Sequence, residues 1–78
     1  MRLYEIYQGE ELQATLIVHD DGRKEWDWIR HEWQASDDLQ TVIEQAADAD
    51  PQAERWTYQT LTIRLPYSCR VGGLRQDQ

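Results

Sequence analysis

One stretch of this chain, residues 37–49, spaces its apolar side chains for a helix, and most of the rest alternates apolar and polar residues with a period of two. Leu39, Val42, Ile43, Ala46 and Ala47 follow the i, i+3, i+4, i+7, i+8 pattern of an amphipathic helix. Ser36 or Asp37 can cap its start, and Asp37 with Gln40 forms a capping-box-like pair. Asp37 and Asp38 also sit at the positive end of the helix dipole. Asp50 before Pro51 ends the helix, because the residue preceding proline disfavours the helical region. Asp38, Thr41, Glu44, Gln45 and Asp48 fall on the opposite, solvated face. One apolar stripe needs one surface to cover it, and the flanking segments supply a sheet.

Residues 2–7 and 11–19 read as two strands joined at Gln8, Gly9 and Glu10, with Gly able to take the positive φ of a tight hairpin. A three-residue loop puts Tyr4 and Ile6 on the same face as Leu12, Ala14, Leu16 and Val18. Asp20, Asp21 and Gly22 form a second turn, from which residues 23–33 return as a third strand. In that register Trp26 lies opposite Leu16 and Trp28 opposite Ala14. Trp26, Ile29 and Trp33 also fit helical spacing, so a helix over 26–33 stays open. Residues 56–65 alternate again, with Leu61, Ile63 and Leu65 on one side and Trp56, Tyr58, Thr60, Thr62 and Arg64 on the other. Pro66 suits a strand end at a sheet edge. The expected fold is α+β: a small antiparallel β-sheet in the order β-β-β-α-β, with the amphipathic helix packed on one face. Residues 1–70 form a single domain and 71–78 a flexible C-terminal tail.

A chain of 78 residues holds one small core, and Leu, Ile and Val total only fifteen, with no Phe. Four Trp and four Tyr compensate, since each can bury roughly 150–250 Å². If the helix covers one sheet face, the other is expected to carry Leu3, Tyr7, Ile17, Ile29, Trp33, Trp56 and Tyr58, an apolar area that usually marks an interface.

Charge is distributed unevenly. Of fifteen acidic residues, fourteen lie between Glu5 and Glu54 against three basic ones there, while Arg55, Arg64, Arg70 and Arg75 face only Asp77 beyond. The net charge is −7, and an acidic surface attracts basic partners and repels a phosphate backbone, which argues against direct nucleic-acid binding. No converging catalytic set is visible. His19-Asp20-Asp21 and His31-Glu32 place neighbouring residues on opposite strand faces, no third ligand has a metal-site spacing, and no Gly-rich phosphate loop is present. Cys69 has no partner for an internal disulfide and reads as a small apolar filler. No apolar run is long enough for a signal peptide or membrane span, so a cytoplasmic location without membrane contact is expected.

The expected function is non-enzymatic, with no cofactor or metal: a small acidic binding protein that occludes a larger basic protein or nucleoprotein complex in the manner of a DNA or phosphate mimic. Phage anti-CRISPR and anti-restriction inhibitors work in this way, an analogy of size and charge alone. The residues expected to meet the partner are Asp20, Asp21, Asp27, Glu32, Trp33, Asp37, Asp38, Glu44, Asp48, Trp56 and Tyr58. The alternative is an assembly protein that forms a homodimer, or serves as a small subunit, through an aromatic sheet face.

Overall fold

The structure is a computed structural model that describes residues 1–68, so Cys69 and the tail expected at 71–78 lie outside the described residues. Five strands and one helix follow in the order β1 (Arg2–Gln8), β2 (Glu11–Val18), β3 (Lys24–Trp28), α1 (Asp37–Ala49), β4 (Arg55–Tyr58) and β5 (Leu61–Ser68). The strands form one sheet, β3-β2-β1-β5-β4, antiparallel at every pairing. The small α+β architecture read from periodicity is therefore the observed one.

The helix occupies the residues its periodicity marks. Ser36 is the cap, its hydroxyl accepting from the Leu39 N–H at 3.2 Å, while the Gln40 side-chain amide reaches back to the Ala35 carbonyl. Ile43 and Ala47 are its buried residues, and Leu39 packs at the margin of the core. That core unites Tyr4, Ile6, Leu16, Val18, Ile43, Ala47, Leu61 and Ile63. The β2–β3 register is the expected one, with Ala14 opposite Trp28 and Leu16 opposite Trp26. A helix over 26–33 is thereby excluded.

The C-terminal part differs. What reads as one strand over 56–65 is a hairpin, turning at Gln59 and Thr60 with Gln59 in the left-handed region at φ 55°. The turn places Trp56 opposite Ile63 and Tyr58 opposite Leu61, so these aromatics share the core face instead of opposing it. The returning strand β5 pairs with the central β1, and the edge belongs to β4. Pro66 lies where the β1–β5 register shifts between Leu3 and Glu5, a bulge that tolerates its missing N–H.

The third strand stops at Trp28, five residues short of its expected end, because residues 29–32 turn away from the sheet. A second bulge, between Ile6 and Tyr7, makes Gln13 the extra residue of β2. Leu12 then pairs with Tyr7 and leaves the face of Ala14, Leu16 and Val18. The Gln13 carbonyl accepts from both the Ile29 and Arg30 N–H groups, which anchors the departing chain, while its side chain is buried with Oε1 unpaired.

Candidate binding surfaces

The helix face of the sheet gathers the tryptophans. Trp26 and Trp28 alternate on β3 and stack at 5.2 Å, and Trp33 folds back to within 6.3 Å of Trp28. Tyr4 meets the edge of Trp56 at 5.5 Å. Trp33, Trp56 and Tyr58, expected on the open face, are thus half-buried against the core. The reasons are the early end of β3 and the turn at Gln59, both of which reset the face on which later side chains emerge.

Burial within this cluster also recruits polar groups. The Trp26 indole N–H donates to the Glu44 carboxylate at 2.7 Å, so Glu44 lies half-buried beside the sheet and leaves the solvated stripe of the helix. Arg2 donates to the Tyr4 hydroxyl and, at 2.9 Å, to the Ala47 carbonyl, a cation placed at the negative end of the helix dipole. Desolvation raises the Tyr4 phenol above its ordinary 10.0, opposed by the Arg2 charge.

Several carboxylates among the described residues pair with cations. Asp20 pairs with the N-terminal amine, Asp21 with Arg23 at 2.9 Å, Glu25 with His19 and Glu11 with Arg30 at 3.4 Å. Asp48 bridges Lys24 at 3.0 Å and Arg2 at 3.7 Å. The Asp21 carboxyl also accepts from the Arg23 backbone N–H at 3.0 Å, and this bond leads the Arg23 side chain in holding its pKa below the ordinary 3.8. Asp27, Glu32, Asp37 and Asp38 are exposed, and none is within 4.0 Å of a cation among the described residues. Of the expected site residues, Asp20, Asp21 and Asp48 are thus compensated by ion pairs, and Glu44 bonds to Trp26 of the aromatic cluster.

The face of the sheet away from the helix has an order the sequence conceals. Pairing aligns three rows across the strands. Glu25, Ile17, Leu3 and Tyr67 form the first. Asp27, Thr15, Glu5, Arg64 and Arg55 form the second, and Leu12, Tyr7, Thr62 and Thr57 the third. Glu25 and Asp27 thus lie at the β3 edge and Arg64 and Arg55 at the β5–β4 edge, with Ile17 and Leu3 between in one row and Thr15 and Glu5 in the next. Arg55 and Arg64 oppose each other directly, a like-charge pair eased by the Tyr7 ring 5.9 Å from the Arg64 guanidinium. The Tyr7 hydroxyl donates to Glu5 at 3.0 Å, and that bond, ahead of desolvation, raises the phenol above 10.0.

Two depressions accompany these surfaces. One of about 490 Å³ lies beside Tyr7, Gly9, Glu10, Arg55, Thr62 and Arg64. Another of about 800 Å³ is lined by residues including Arg2, His19, Asp20, Asp50, Glu54 and Leu65. Among the described residues, no group of three or more His, Cys, Asp or Glu could hold a metal ion, and no helix is long and apolar enough to cross a membrane. Compared with known proteins, the chain matches no protein family, and no curated protein or solved structure resembles it at a significant level.

Proposed function

We propose that this chain is a non-enzymatic binding protein that docks on the basic surface of a larger protein through the segment joining β3 to α1 and the first turn of α1. The observation that supports this reading is the uncompensated charge of Glu32, Asp37 and Asp38, exposed within seven residues while Asp20, Asp21 and Asp48 are paired internally. The helix dipole contributes roughly half a positive charge at this end, leaving a net of about −2.5 to act on a partner. Trp33, half-exposed in the same segment, supplies an aromatic anchor of the kind that dominates binding energy. Charge then guides the encounter and the ring holds the complex. Occlusion of a nucleic-acid channel is the finer form of this proposal.

The test is affinity capture with three baits: the wild type, Glu32→Gln/Asp37→Asn/Asp38→Asn, and the control Asp20→Asn/Asp21→Asn. A basic protein held by the wild type and the control but lost from the triple variant is expected. Its association should slow with added salt as screening shortens the field to about 8 Å. Competition by duplex DNA for the captured protein tests the occlusion. Equal retention by all three baits would remove the charged segment from the mechanism.

A further inference from the structure

We infer that the open face of the sheet is an interface for a second copy of this chain, related by a twofold axis running along β1. The strand order β3-β2-β1-β5-β4 has β1 at its centre. Stacking two open faces about an axis parallel to β1 therefore lays β3 of one copy over β4 of the other, and β2 over β5. Strand directions stay aligned, the usual arrangement of packed sheets.

Under that operation the charge pattern becomes complementary to itself. Asp27 at one edge meets Arg55 of the second copy at the other, and the reciprocal pair forms by symmetry. The alternative axis, across the strands, would set acid on acid. Between the charged margins, Leu3 meets its own counterpart on the axis and Ile17 faces Tyr67, so the half-exposed apolar row is covered. The depression beside Arg55 and Arg64 gives the acidic edge room to enter.

Size is compatible with a reversible dimer. Five strands of four to eight residues, at about 3.3 Å per residue and about 4.8 Å apart, present roughly 500 Å² per copy, so about 1,000 Å² is buried in total, the least expected of a specific interface. Glu5 meets its counterpart close to the axis, a local repulsion that Arg64 beside it only partly offsets.

Sedimentation velocity from micromolar to millimolar protein tests the inference. The wild type should shift from monomer toward dimer. Asp27→Lys sets a lysine against Arg55 of the second copy, and Arg55→Glu/Arg64→Glu sets a glutamate against Asp27, so each variant alone should associate at least about tenfold more weakly, because facing like charges are costly. An equimolar mixture of the two should regain dimer, since every edge pair is then opposite in sign. Glu5→Gln should tighten the wild-type dimer, and Leu3→Lys should abolish it with its circular dichroism unchanged. A wild type that stays monomeric throughout, or a mixture no more associated than its components, would overturn the interface.

Discussion

Replacing Ile63 with Val tests the hairpin on which the arrangement of the aromatic residues depends. Ile63 is fully buried, lies opposite Ile6 of β1 on one side and Trp56 of β4 on the other, and belongs to the central cluster. Removing one methylene from such a site costs about 0.5–1.5 kcal/mol. A domain of 78 residues has a total stability of about 4–12 kcal/mol, so the variant stays folded and measurable. An unfolding entropy of about 2.1 cal/mol/K per residue amounts to about 0.16 kcal/mol/K for the chain. The melting temperature should therefore fall by about 3–9 °C, read by calorimetry at a concentration too low for association. Ile29→Val, at a side chain 46% exposed, is the reference and should stay within about 0.5 kcal/mol of wild type. Adding Trp56→Leu completes a double-mutant cycle. Facing residues in contact should couple by at least about 0.5 kcal/mol, whereas a single strand over 56–65 would separate them to opposite faces and leave the two changes additive. Additivity would refute the hairpin.

The turn itself predicts a gain: Gln59 holds φ 55°, where a Cβ is strained, so Gln59→Gly should raise stability by up to about 1 kcal/mol in denaturant titration, and unchanged or lower stability would place the strain elsewhere. Acidification gives a signed effect. The folded-state pKa of Asp21 is depressed, so its contribution is fully present above 3.8 and is lost as pH falls through the folded value; Asp21→Asn should flatten that part of the stability profile, and an unaltered acid limb would refute the Arg23 contacts.

Local signals marked the helix and the first three strands with little help from the rest of the chain. Ser36 and Pro51 bracket an apolar stripe whose period only a helix satisfies. The Asp20-Asp21-Gly22 turn sets a register that puts Trp26 against Leu16 and Trp28 against Ala14, because one face had to be apolar. The β4–β5 hairpin carried no such mark. Its left-handed position is occupied by Gln, and the two-residue turn shifts the inward positions from Trp56 and Tyr58 to Leu61 and Ile63, a change of phase hidden because aromatic and Thr residues suit either face of a single strand.

From that hidden turn and from the early end of β3 follow the displacements of Trp33, Trp56 and Tyr58, just as the bulge at Gln13 moves Leu12 to the open face. Composition and order along the chain determined that the protein would be acidic, aromatic in its core and built as one helix on a small antiparallel sheet. Which carboxylates remain uncompensated was decided mostly by tertiary structure, the Asp21–Arg23 and Glu25–His19 pairs of the β2–β3 hairpin being local. Asp48 finds Arg2 and Lys24 only because the helix crosses β1 and β3, and Asp27 and Arg55 come to opposite margins of one face only because β5 inserts beside β1 and carries β4 to the far edge. Charge is written in the sequence, but its cancellation depends on distances of a few ångströms between residues far apart in the chain, and those distances exist only after the strands have paired.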